Sequence, residues 1–105
     1  MFRFAKDEGG RVDTLTMNIK REFIARIVAK TKRIEYRDVS PFWKRRIAPM
    51  KPPFRLRLLN GMTHPVPEAV VMVARVKRNR GVYEWHLGRV LRVRRWDRRA
   101  RKPKR

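Results

Sequence analysis

The chain has 105 residues, of which 30 are Lys or Arg and 9 are Asp or Glu, giving a formal net charge of +21. One domain fits that length, and a hydrophobic fraction of 42% is too high for a wholly disordered basic chain. With no Cys, disulfides, thiolate metal sites and a Cys nucleophile are excluded; His64 and His86, 22 positions apart, lack zinc-motif spacing, so no metal or cofactor is expected.

Residues 1–12 are polar, with Gly9-Gly10 as a joint, and read as an N-terminal extension. Met1 to Glu8 lacks the apolar stretch of a secretory signal. The longest apolar run, Ala69 to Ala74, has six residues, too few to span a membrane, so a cytoplasmic protein without a membrane partner is expected.

Leu15 to Ile19 alternates apolar and polar residues, as a half-buried strand does. From Lys20 to Lys30 the period changes: Phe23, Ile24, Ile27 and Val28 form one helical stripe, with Asn18 placed to cap it and Glu22 in its first turn. No Gly ends this helix at Thr31. Arg33 to Arg37 alternates again. Ser40-Pro41 then gives an N-cap and a first-turn proline for a short helix, closed by Pro49, Pro52 and Pro53. Phe54 to Leu58 is a strand carrying Arg55 and Arg57 on one face, and Asn60-Gly61 is a turn. A longer strand is predicted over Val70 to Lys77, a turn at Asn79-Arg80-Gly81, and a last strand within Leu87 to Trp96. Strands in series by short turns, after a single main helix, predict an antiparallel or mixed barrel plugged by helices.

Charge is concentrated at the end. Residues 92–105 hold nine basic residues and one acid, +8 in 14 residues against +13 in the preceding 91. Beyond Trp96 only Ala100 is apolar, apart from Pro103, and 97–105 is predicted to be a disordered basic arm. Such a charge opposes folding by self-repulsion and points to a polyanionic partner; nucleic acid ranks above an anionic membrane surface because no amphipathic basic helix with a broad Trp/Leu face is present. Arg outnumbers Lys 21 to 9, which suits phosphate forks and equally suits a GC-rich coding bias.

Lys32-Arg33-Ile34-Glu35-Tyr36-Arg37 after a basic helix end resembles the ASCH (activating-signal-cointegrator homology) family, in its small bacterial and phage form. Ser40-Pro41-Phe42-Trp43-Lys44, Leu58-Leu59-Asn60-Gly61-Met62 and Tyr83-Glu84-Trp85-His86-Leu87-Gly88 are similar to further segments of that family, in the same order. Ala29-Lys30-Thr31 stands where members often carry a Gly, and the basic arm is not a family feature. The resemblance implies an α+β, PUA-like β-barrel of about five to six strands with one main and one short helix. The resemblance covers about residues 14–96, within a domain placed at 13–96 between the extension 1–12 and the tail 97–105.

On a strand, Glu35 and Arg37 share one face, with Lys32 just ahead of them. This group can clamp a nucleotide, with Arg37 as phosphate fork, Lys32 as point charge and Glu35 accepting from a base amine. The plainer reading is a same-face ion pair worth about 0–1 kcal/mol. In ASCH domains the motif borders a cleft proposed to bind RNA or other nucleic acid, so the resemblance implies a nucleic-acid partner, with RNA favoured over single-stranded DNA. The nucleic-acid-contacting residues are expected to be Lys32, Glu35, Arg37, Trp43, Lys44, Arg45, Arg55, Arg57, Arg92, Arg94 and Arg95.

The alternative is a metal-free hydrolase of RNA or a modified nucleoside, with Lys32 and Glu35 as catalytic residues and His86 as a further acid–base candidate. One ASCH-like branch hydrolyses an acetylated cytidine nucleoside with a Lys, a Thr and a distant Glu. Its Lys matches Lys32, its Thr falls at Glu35, and Glu68 or Glu84 are the candidates for the distant acid, so the nucleophile is missing. Among the aromatics, Trp43, Trp85, Trp96, Tyr36 and Tyr83 can stack bases, while Phe23, Phe54 and Tyr36 are expected in the core. His86 reads as a structural residue and His64 as a loop residue.

Overall fold

Alternation in Thr14–Asn18 makes β1, with Leu15 and Met17 buried and Thr14, Thr16 and Asn18 exposed. The structure, a computed structural model, describes residues 13–63 and 65–104; the N-terminal extension, His64 and Arg105 lie outside the described residues. α1 (Arg21–Val28) follows and buries Ile24, Ile27 and Val28, with Phe23 packed partly against them and Glu22 in the first turn. The helix is not capped by Asn18. Lys20 occupies the N-cap without a side-chain bond. Asn18 stays at the end of β1, where its Oδ1 accepts from Gly61 N at 3.2 Å, while Asn60 Nδ2 donates to Ile19 O at 2.9 Å. The two asparagines thus tie the β1 end to the Asn60-Gly61 turn.

α1 ends in a Schellman arrangement: Lys30 N donates to Ile27 O at 3.0 Å and Thr31 N to Arg26 O at 2.9 Å. This requires a left-handed residue, and Lys30 supplies it at φ 65° in the absence of glycine. β2 (Ile34–Asp38) and α2 (Pro41–Ile47) come next, the latter capped by Ser40 Oγ, which accepts from Trp43 N at 3.3 Å, with Pro41 in the first turn.

β3 (Phe54–Leu59), β4 (Glu68–Asn79) and β5 (Val82–Arg94) complete a mixed five-stranded sheet of order β1-β3-β4-β5-β2. β1 runs parallel to β3, so the chain between them, α1-β2-α2, is a crossover that the serial reading of the strands does not anticipate. β4 and β5 form a long hairpin closed by Arg80 and Gly81, both at positive φ (49° and 79°), as a two-residue turn matching the sheet twist requires. Register shifts between Val70 and Arg75 bend β4, and the sheet curls into a half-barrel. β3 pairs with the base half of β4 and β2 with the tip half of β5. The inner face carries the core: Phe54, Leu56 and Leu58 of β3, Ala69, Val71 and Val73 of β4, and Tyr83, Trp85 and Leu87 of β5, packed under α1 and against Ile47 of α2. No helix among the described residues is long and apolar enough to cross a membrane.

The tail departs from expectation. Instead of a featureless arm, β6 (Trp96–Asp97) pairs antiparallel with β7 (Lys102–Pro103) in a short ribbon. Two local causes outweigh the charge repulsion. Trp96 is buried in the core cluster and anchors the first strand. Asp97 Oδ1 accepts from Arg99 N at 3.0 Å and Ala100 N at 2.9 Å, shaping the turn.

Candidate nucleic-acid interface

The motif strand turns the opposite way from the one its hydrophobicity suggests. In the register of β2 with β5, Glu35 lies opposite Trp85 and Arg37 opposite Tyr83, both buried inner-face residues. Ile34 and Tyr36 therefore face outward, and Tyr36, expected in the core, is 50% exposed, whereas Glu35 is 3% exposed. Phe54 is in the core as expected.

A carboxylate is tolerated on this inner rim because β2 is an edge strand and cations reach Glu35 from both sides. Lys32 Nζ lies 3.4 Å from Oε1, and Arg37 Nη1 donates to Oε2. Arg37 also donates to Tyr36 O at 2.6 Å. Both cations rest on aromatic faces. Lys32 Nζ is 5.4 Å from the ring centroids of both Phe23 and Tyr36, and the Arg37 guanidinium is 5.6 Å from that of Trp43. Trp43 stands edge-on to Trp85 at 5.5 Å, which fixes the platform under Arg37 to the core.

Beside this cluster lies an open cleft of about 660 Å³ lined by Tyr36, Arg37, Asp38, Trp43 and Val82. Arg37 and Trp43 thus line it, while Glu35, which holds Arg37 and is itself paired with Lys32, is not among its lining residues, and neither is Lys32. On α2, Lys44 and Arg45 are exposed, and Arg46 sits 4.3 Å from the ring centroid of exposed Phe42. Phe42 and Arg46 add an exposed cation–aromatic pair on α2, and Phe23, marked by helical spacing only as core, is partly buried with the Lys32 ammonium over its ring.

The remaining basic candidates gather elsewhere. Arg57 donates to Glu68 Oε2, and Arg92 Nη2 lies 3.6 Å from the same oxygen. Glu68 pairs in register with Arg94, nine residues along β5 from Trp85, a path of roughly 30 Å in extended chain. Arg55 is exposed on β3, and Arg95 Nη1 is 3.5 Å from Val66 O. A sequence signal for this second group exists: Glu68 is the one acid between Asp38 and Glu84, set against Arg55/Arg57 and Arg92/Arg94 at strand spacing.

Burial of the Glu68 carboxyl works to raise its pKa, but the hydrogen bond and charge of Arg57, with the charges of Arg92 and Arg94, outweigh it and hold the pKa below the ordinary value of 4.5. A carboxyl depressed in the folded state adds stability that is fully present above the unfolded value and is lost as pH falls through the folded one. The stability gap between wild type and Glu68→Gln should therefore be constant above about pH 5.5 and close as pH falls below 4.5. Urea unfolding of both proteins across that range checks it; a gap undiminished at about pH 2.5 would contradict it.

Of the hydrolase candidates, Lys32 and Glu35 do meet, at 3.4 Å, but His86 does not join them. His86 lies opposite Ile34, on the outer face, while Glu35 is on the inner. His86 Nε2 is buried 3.4 Å from Glu84 Oε1 without forming a hydrogen bond. Glu84 and Glu68 stand at different ends of the hairpin. No cluster of metal-ligating side chains occurs among the described residues. No family model matches this sequence, and no curated protein matches it significantly.

Proposed function

We propose that the chain is an ASCH domain of PUA-like barrel type that binds RNA, with the cleft beside Arg37 and Trp43 as its selective site. The observation that carries this reading is the mounting of Arg37. One side of its guanidinium is held by the buried Glu35 carboxylate, its plane is near the Trp43 ring, and it borders an open cleft next to the exposed cations of α2. A preorganised fork loses little entropy on meeting a phosphate, and an adjoining aromatic offers a base a stacking surface. The family resemblance supports a nucleic-acid partner, of which RNA is favoured over single-stranded DNA. Binding is favoured over hydrolysis because both Glu35 oxygens face cations and His86 is on the other side of the sheet.

The test compares single charges. Arg37→Ala should lower affinity for a single-stranded RNA by about five- to tenfold, whereas Arg21→Ala, an exposed cation on α1, should cost about twofold or less. Arg37→Lys retains the charge without the fork and should fall between them. Fluorescence anisotropy with a labelled oligonucleotide reads all three; equal losses at positions 21 and 37 would reduce the cleft to its share of the total charge.

A further inference from the structure

The ribbon at the end of the chain is a basic surface with a built shape. Arg98, Arg99 and Arg101 at its tip and Lys102 and Lys104 along and beyond β7 are all exposed. A chain of such charge left to itself would stay extended. Here it is closed by Arg101 N donating to Asp97 O at 2.7 Å and Lys104 N donating to Arg95 O at 3.0 Å, besides the two bonds to Asp97 Oδ1. Trp96, 3% exposed, pins its base to the sheet, and Arg95 and Arg101 accept left-handed backbone (φ 55° and 58°) to complete the bends. The acid that shapes the turn therefore organises cations on both sides of it in sequence.

We propose that residues 95–104 are an ordered phosphate-gripping ribbon, a second RNA contact surface whose affinity depends on its fold as well as its charge. This rests on the RNA-binding reading above. Holding the cations at fixed spacing means that less freedom is lost when they meet successive phosphates, so an ordered ribbon binds more tightly than a loose arm of equal charge. The surface reads the backbone and not the bases, so its contribution is the same for all sequences.

Asp97 allows shape and charge to be separated. Asp97→Asn keeps an oxygen that accepts from Arg99 N and Ala100 N; Asp97→Ala removes it; both raise the net charge by the same amount. The hydrogen bonds of Asp97 go to the ribbon's own amides, so the comparison leaves the sheet in place. With a fluorescein-labelled uridine 20-mer as probe, Asp97→Ala should bind about fivefold more weakly than Asp97→Asn, as when the binding-competent form becomes correspondingly rarer. Amide exchange at Arg101 and Lys104 should quicken in Asp97→Ala alone. Equal affinities for the two variants would overturn the ribbon and leave RNA binding standing; no binding by the wild type would overturn both.

Discussion

Raising salt from about 50 to about 200 mM should weaken binding to single-stranded RNA by roughly a hundredfold. Each phosphate neutralised on a single strand releases counterions, so that log K falls with log salt at about −0.7 per contact. Five contacts give a slope near −3.5, and a fourfold rise in salt then removes about two decades of affinity. Five is a modest demand on this surface. Arg37 at the cleft, Lys44 and Arg45 on α2, and the ribbon cations already supply more than that number of side chains. Anisotropy titrations at a series of potassium chloride concentrations give the slope directly. A slope shallower than about −1 would leave one phosphate contact, which could not account for a protein of charge +21 binding electrostatically.

Glu35→Ala should destabilise the domain by roughly 2–3 kcal/mol, lowering the melting temperature by about 10–20 °C. The side chain of Glu35 is 4% exposed and those of its partners 17% and 23%, so deletion strands Lys32 and Arg37 on a half-dry rim next to Trp85 and Trp43. The loss stays below the cost of about 3–5 kcal/mol for breaking a fully buried pair, because both cations retain some water. Glu35→Gln fills the same space and still accepts hydrogen bonds, so it should cost less than the alanine variant. Thermal unfolding measures both. A loss under about 0.5 kcal/mol for Glu35→Ala would mean that this pair behaves as a surface ion pair, and that Arg37 is not held in the orientation on which its role depends.

Most strands are legible because their alternation survives folding: Leu15 and Met17, or Phe54, Leu56 and Leu58, bury as their period demands. The second helix is legible because Ser40-Pro41 is a local signal acting through local bonds. Expectation and structure part where a distant partner decides the outcome. Asn18 is a good cap in isolation, but the Gly61 amide, 43 residues on, takes its side chain. Ile34 and Tyr36 are the apolar members of β2, yet the inner face goes to Glu35 and Arg37, since the register with β5 is set by the whole sheet and the carboxylate finds two cations there. The ribbon escapes a reading by composition, which reports its charge and is blind to one well-placed acid. The cleft itself is half legible: Arg37 and Trp43 carry sequence signals, but nothing in the sequence brings Val82, opposite Asp38, to the same cleft.

That tip has an evolutionary consequence. Val82 lines the cleft, and the turn just before it, Arg80-Gly81, is exposed, with open space where a side chain on Gly81 would project. The core residues of the hairpin begin beyond this end, at Tyr83. Lengthening by two residues on each strand would keep every inward side chain inward, whereas an odd insertion in one strand would turn every later residue of that strand to the opposite face. The hairpin can therefore grow a taller wall beside Arg37 in even steps, deepening the cleft, while the inward side chains of the core stay inward.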